Sequence, residues 1–440
     1  MPVGRTRVVI TGIGAISPLG LSAKLTWEGL RAGRCGIRRI TAFDPSHFSC
    51  QLAGEVGEYK IQQYVPKSFR KATKLMSRDI ELAVIAADEA VRDSGLITKA
   101  IDEQKVNVEP TRMAINVGAG LISCDPCELA PAVAKSITDG KFDIRKWGKD
   151  GLGLVTPLWL LKYLPNMLAC HIGIIHDIQG PSNTITCAEV SGYLSIAEAA
   201  EVIARGDSDI ALAGGAEAKV NPVLIMRQCL IKRATTQSND APEKACRPFD
   251  ADASGSVFGD GGAIVVLENL DNATKRGVKI YAELVGTGQS ASINPTYEHI
   301  EPNGEGIAIA IEKAITQAGV TPKDIGLIIP HGTGIPQDDL AEAKGIETAL
   351  GEQASKIPVW PTKSMLSNTG AASGALDISA AVYAMREGKI PPAKNCDKKA
   401  IGCNLNIGTT EQKTDIHYAL CCGYTYGGQT AAVILKKFES

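Results

Sequence analysis

The stretch from Gly180 to Gly215, GPSNTITCAEVSGYLSIAEAAEVIARGDSDIALAGG, leaves the chain little choice of fold. A turn at Gly180-Pro181 opens it, a short β-rich run follows from Asn183 to Cys187, and small residues fill the junction from Ala188 to Gly192. Leu194, Ala197, Val202 and Ile203 then recur at helical spacing, which predicts a helix over 191–204, stopped by Gly206. A second apolar strand, Asp209 to Ala213, closes on Gly214-Gly215. The result is strand, tight turn, helix, strand. A residue at the tip of such a turn faces the free N–H groups and the positive end of the helix, where nucleophilic or anion chemistry is favoured. The tip here reads Cys187-Ala188-Glu189-Val190-Ser191-Gly192.

At 440 residues the chain can hold two or three domains or one large α/β unit. A formal net charge of −2 gives no reason to expect bulk nucleic-acid binding. There is no apolar run long enough to span a membrane, and the start MPVGRTRVVITGIG passes into a strand without a signal peptide, so the expected location is the cytoplasm. Of the twelve cysteines only Cys124-Asp125-Pro126-Cys127 has C-x-x-C spacing, with no second pair to complete a zinc site. The cysteines therefore read as buried free thiols of a reducing compartment, and no metal is expected. Gly12 and Gly14 after the opening strand form a G-x-G, but Pro18-Leu19-Gly20 breaks any immediate helix, so a dinucleotide site is disfavoured and no cofactor is expected.

Further along, Lys67 to Leu96 carries a basic start, KSFRKATKLMSR, and an amphipathic helix ending at Ser94-Gly95. A strand from Met113 to Val117 ends on Gly118-Ala119-Gly120, and the segment 121–179 reads as irregular and apolar-rich. Gly255 to Leu267 is a glycine-rich turn into a buried strand. The second half varies the first. A helix from Ile307 to Gly319 leads to a strand, Ile325 to Pro330, ending on His331-Gly332-Thr333-Gly334, and VWPTKSMLSNTGAASG (Val359 to Gly374) enters a small-residue helix as Thr184 to Gly192 does.

The Gly-Pro-Ser turn, the strand and the Ser-Gly that opens the helix resemble the active-site segment of β-ketoacyl-ACP synthases of the KAS I/II type, condensing enzymes of the thiolase-like superfamily. The N-terminus, Arg247-Pro248-Phe249-Asp250 and HGTGIPQDDLAEA carry the same resemblance, which runs from Arg7 to Lys437. It implies a five-layered α-β-α-β-α fold of two βαβ-rich halves, 1–268 with a capping insertion at about 121–179, and 269–440. It also implies an acyltransferase site where the halves meet, a two-fold dimer and an acyl carrier protein as partner.

Laid ungapped on the family pattern, the nucleophilic cysteine falls on Glu189, while Cys187 lies two places earlier. His331 takes the place of the first family histidine and Asn368 that of the second. Glu342 and Lys363 match a family pair expected to form a buried ion pair. Tyr424, Thr425, Tyr426, Gly427 and Gly428 stand where the family has its gate and oxyanion loop, with Thr425 replacing a glycine. Lys67, Arg70, Lys71 and Lys74, with Arg233 joining, form the expected carrier-protein surface. The resemblance thus predicts a protein of fatty-acid or polyketide biosynthesis that does not itself condense, a chain-length-factor-like partner of an active ketosynthase, as a homodimer or heterodimer. The alternatives are a malonyl-ACP decarboxylase using His331 and Asn368, or an active 3-oxoacyl-ACP synthase with Cys187 as nucleophile.

Overall fold

The computed structural model describes residues 6–296 and 298–439. Met1 to Arg5, read as running into the first strand, lie outside the described residues. The strands of the main sheet are β1 (Val8–Ile16), β2 (Met113–Ala119), β3 (Ser182–Ile185), β4 (Ile210–Ala218), β5 (Asp260–Asn269), β6 (Ala282–Ala291), β7 (Ile325–Ile329), β8 (Pro358–Val359), β9 (Asn406–Ile407), β10 (Tyr418–Tyr424) and β11 (Gln429–Lys437). Among the described residues they form one eleven-stranded sheet in the order β9-β8-β7-β10-β11-β6-β1-β5-β4-β2-β3. Five helices bear on the argument: α1 (Arg78–Asp93), α2 (Ser191–Ala204), α3 (Glu305–Ala318), α4 (Pro336–Leu350) and α5 (Ser373–Glu387).

The order repeats itself. In the first half β2 runs parallel to β3 and β4, and β5 and β1 follow antiparallel. In the second, β7 runs parallel to β8 and β10, and β11 and β6 follow antiparallel. The halves join through antiparallel pairing of β1 with β6. The glycines of the early G-x-G take part in this repeat. A Cβ on Gly12 or Gly14 would sit 2.4 or 2.0 Å from the Ala90 or Ala86 carbonyl of α1, and one on Gly286 or Gly288 would sit 2.2 or 1.8 Å from the Ala314 or Ala310 carbonyl of α3. Both pairs exist so that a helix can lie close against a strand.

Alternation along the strands sorts the side chains into layers. Ala263, Val265 and Leu267 of β5 enter a central core with Tyr193, Ile196, Leu376 and Ile378 of α2 and α5. Ile264 and Val266 point the other way, into a core with α1. In the second half Leu327 and Ile329 face the centre, while Ile325 and Ile328 pack with α3 and α4. The α-β-α-β-α layering expected from sequence is therefore present, with α2 and α5 as the middle layer.

Helix α1 starts where Ser77 accepts the Ile80 N–H and ends with Arg92 in its last turn. The basic run before it forms two 3-10 turns, Lys67–Phe69 and Ala72–Leu75, rather than the start of the helix. The segment 121–179 is more ordered than expected. It contains helices Pro126–Lys135 and Met167–His176, the first capped by Asp125, and it exposes Leu121, Leu152, Leu154, Leu158 and Leu160. The cysteines are free thiols, but only part of the set is buried: Cys124 is half-buried and Cys127 exposed, whereas Cys421 and Cys422 lie in the core. Among the described residues no cluster could hold a metal ion, and no helix is long and apolar enough to cross a membrane.

Candidate active site

Helix α2 begins from a 3-10 turn, Ala188–Val190, with Ala188 at φ 46°. The turn is held from both sides: the Cys187 N–H donates to Ser191 Oγ at 2.7 Å, and the Ser191 hydroxyl donates to the Ala119 carbonyl of β2 at 3.1 Å. Gly118 is required there, since a Cβ would lie 2.4 Å from the Ser191 backbone. Glu189 sits at the tip, 4% exposed, and its Oε2 has no hydrogen-bond partner.

Two cations bear on Glu189, and sequence reasoning had given neither this role. Lys219, on the turn after β4, is buried and paired with Glu217 at 2.9 Å. Burial works against its charge, but the carboxylates of Glu217 and Glu189 outweigh that and raise its pKa. Glu217 in turn accepts the Ala371 N–H at 2.8 Å. Arg233, expected to join the carrier-protein cluster, is buried instead of lying on the surface with Lys67, Arg70, Lys71 and Lys74. It is 4% exposed, bonded to Asp338 Oδ2 at 2.8 Å, and also under the field of Glu189. A buried guanidinium needs a buried anion, and the first aspartate of HGTGIPQDDLAEA supplies it; both aspartates were visible in that motif. Lys67, Arg70, Lys71 and Lys74 themselves are exposed.

His331 follows β7 and is buried. Its ring meets Tyr424 edge-on, with centroids 4.7 Å apart at 76°. Burial, reinforced by the charges of Lys363 and Arg233, holds its pKa well below the usual histidine value, so the ring is neutral. Its Nδ1 has no partner.

The expected ion pair between Glu342 and Lys363 does not form. Glu342 instead accepts the backbone N–H groups of His331 and Gly332, at 2.6 and 2.8 Å, and so fixes the turn that carries the histidine. Both its oxygens are occupied in this way, and burial pushes its carboxyl up to about 8. Lys363 bonds Asp377 of α5 at 3.0 Å, and Asp377 also accepts the Thr362 hydroxyl at 2.7 Å and the Tyr193 hydroxyl at 3.1 Å. Neither Asp377 nor Tyr193 carries a signal in the sequence, because neither lies in a motif with charge spacing.

Asn368 is buried beside the strained Ser367, at φ 66°. Its N–H donates to the Val257 carbonyl at 2.7 Å and its Oδ1 accepts the Gly370 N–H at 3.0 Å. With the amide oxygen so engaged, the NH₂ is the end left to meet a ligand.

The loop after β10 is pinned by the residue that replaces glycine. Thr425 donates its hydroxyl to Gln429 Oε1 at 2.9 Å and accepts the Gly427 N–H at 3.0 Å. Tyr424 is buried, and Tyr426 is half-buried with the Arg233 guanidinium over its ring at 4.8 Å. The Tyr426 hydroxyl accepts from Arg227 at 3.2 Å. Gly428, at φ 93°, passes so close to Ser292 that a Cβ would lie 1.7 Å from its carbonyl. Tyr426, Arg233, Lys232, Glu298 and His299 surround a cavity of about 290 Å³. Cys187 is half-buried and burial pushes its thiol up, the wrong direction for a nucleophile.

Comparison with known proteins gives the family of the chain. Residues 5–273 match the model of the β-ketoacyl synthase N-terminal domain and residues 281–397 that of the C-terminal domain. The chain is 35% identical to 3-oxoacyl-[acyl-carrier-protein] synthase 2 of Vibrio cholerae, over 99% of this chain and 100% of that protein. It is 34% identical to the Staphylococcus aureus (strain COL) protein of the same name, over 99% of each. Among solved structures it resembles a β-ketoacyl synthase from Burkholderia phymatum (TM-score 0.85, 27% identity, 99% of this chain and 100% of that one). It also resembles the ishigamide ketosynthase/chain length factor (TM-score 0.84, 28% identity, 99% and 100%).

Proposed function

Because the chain belongs to the β-ketoacyl synthase family, we propose that it serves fatty-acid or polyketide synthesis without condensing on its own, as the partner subunit of an active ketosynthase. One observation carries this reading: the tip of the strand–helix turn holds a buried glutamate, Glu189. A condensing enzyme parks its acyl chain on a thiolate, which the helix N-terminus stabilises. A carboxylate there is a poor nucleophile, and the anhydride it would form is no store for an acyl group. Cys187 does not replace it, since burial raises its pKa.

The remaining parts suit a site that still receives a carrier-bound thioester. His331 and the Asn368 amide are hydrogen-bonding groups for a thioester carbonyl, Tyr424 to Gly428 form the gate, and Lys67, Arg70, Lys71 and Lys74 present positive charge to an acidic carrier protein. Strand β3 is the uncovered end of the main sheet, with Ser182 and Asn183 exposed, and is the edge on which a second chain would continue it. The ishigamide ketosynthase/chain length factor is a solved precedent for the overall shape.

A second reading, malonyl-ACP decarboxylation, is favoured by the fixed Asn368 amide and the neutral His331, which together could hold an enolate oxygen without a nucleophile. Co-expression with an intact ketosynthase separates the two. The partner role predicts a stable heterodimer whose condensation rate falls when this chain is withheld. Carbon dioxide release from malonyl carrier protein by the isolated chain, lost in Asn368→Leu, would favour the second.

A further inference from the structure

Two buried polar atoms in the site have no partner: Glu189 Oε2 on a side chain 4% exposed and His331 Nδ1 on one 1% exposed. Such atoms are nearly always satisfied, if not by protein then by water or ligand. The segments that carry them adjoin: a Cβ on Gly423 would lie 3.7 Å from Val190, the neighbour of Glu189, and the next residue, Tyr424, meets the His331 ring with centroids 4.7 Å apart. A carboxylate can only accept hydrogen bonds. The partner that Oε2 needs is thus a donor, which a thioester carbonyl or an acyl chain cannot be and a water molecule can.

We propose that Glu189 turns this site into a thioester hydrolase, holding and deprotonating the water that attacks the acyl carbonyl. The inference rests on the reading that the site receives acyl thioesters. The water takes the place of the missing thiolate, at the N-terminus of α2. Its oxygen bonds to the thioester carbon while Glu189 takes one proton. The oxyanion is held by the Asn368 NH₂ and the His331 ring. As the intermediate collapses the C–S bond breaks, and the proton on Glu189 passes to the departing thiolate. The products are a carboxylic acid and a free thiol, from one thioester and one water, with no covalent acyl-enzyme and no co-reactant. Such an activity would clear acyl chains stalled on the carrier protein.

The test uses the whole protein with a hexanoyl N-acetylcysteamine thioester and with hexanoyl carrier protein, in ¹⁸O-labelled water. Thiol release above the buffer rate is expected, with one ¹⁸O in the hexanoic acid and no mass adduct on the protein. Glu189→Gln should lower the rate by about 100-fold or more, the usual worth of a general base. Glu189→Cys reports separately on the pocket, since it should become acylated by the same thioester. No release above buffer, or undiminished release by Glu189→Gln, overturns the proposal. If wild type is inert but Glu189→Cys is acylated, the hydrolase proposal fails and the ketosynthase-like reading stands. If both are inert, both fall.

Discussion

Two junctions in this protein share a backbone course and differ most at the tip residue. In the first half the 3-10 turn Ala188–Val190 leads into α2 through Ser191-Gly192; in the second the 3-10 turn Gly370–Ala372 leads into α5 through Ser373-Gly374. Both turns open on a left-handed residue, Ala188 at φ 46° and Gly370 at φ 58°. They pack on each other: a Cβ on Gly192 would lie 2.6 Å from the Ala371 carbonyl, and one on Gly374 would lie 2.5 Å from the Tyr193 ring. At the tip the second half has Ala371 and the first has Glu189. The geometry asks only for a small residue, as the alanine shows, and Ala371 is satisfied through its N–H to Glu217. Glu189 instead carries an unpartnered oxygen, and its charge helps to raise the pKa of two buried cations, Lys219 and Arg233, each paired with another carboxylate. Burying such a charge costs stability, so packing alone does not account for it.

The largest expected effect lies in the frame of the second junction. Lys363→Ala leaves Asp377 buried and uncompensated, and should cost about 3–5 kcal/mol of unfolding free energy in denaturant titration. Asp377→Ala should cost a similar amount, and the double variant less than the sum. If Glu342→Ala rather than Asp377→Ala shows the coupling to Lys363, the assignment of the pair is wrong.

The two sheet edges sharpen the comparison next. Strand β8 is covered by β9, whereas its counterpart β3 is bare. On the proposed two-fold contact through β3, Asn183→Glu would place like charges near one another. Sedimentation should show the dimer weakened about 100-fold, with folding intact, since Asn183 is exposed. A change of assembly on mutating the β9 edge instead would relocate the interface.

Each half also buries a neutral histidine, His176 in the first and His331 in the second. Burial lowers the His176 pKa from 6.5 to about 4. A depressed pKa contributes stability that is present above the unfolded value, near 6.5, and is lost as pH falls toward 4. Acidification over that window should remove about 3 kcal/mol through His176 alone. His176→Asn should flatten the acid limb of a pH–stability curve, and an unchanged limb would show that the group is not buried neutral.

The smallest effect concerns the strained residue. Ala188→Gly gives the first turn the residue of the second and should stabilise by about 1 kcal/mol in thermal melts.

Much of this was legible in the chain. Periodicity placed α2 at 191–204, where it stands, and motif order gave the layered fold, the duplicated halves and the position of His331. Charge partners were not legible, because they depend on which carboxylate finds its oxygens free. Glu342 was drawn to Lys363 by pairing of motifs, but its oxygens are taken by backbone N–H groups. Arg233 reads as a surface residue because a Lys232-Arg233 pair in a loop looks solvated, and only the fold shows Asp338 beside it. Lys219 directly follows β4, with nothing local in the sequence to link its charge to Glu189.

We expect no residue of this site to accept an acyl chain, which intact-protein mass spectrometry after incubation with acyl carrier protein reads out. The expected result is an unchanged mass for the wild type and an added acyl group for Glu189→Cys. An acyl adduct on the wild-type protein, mapped to Cys187 or to any other residue of the pocket, would contradict it.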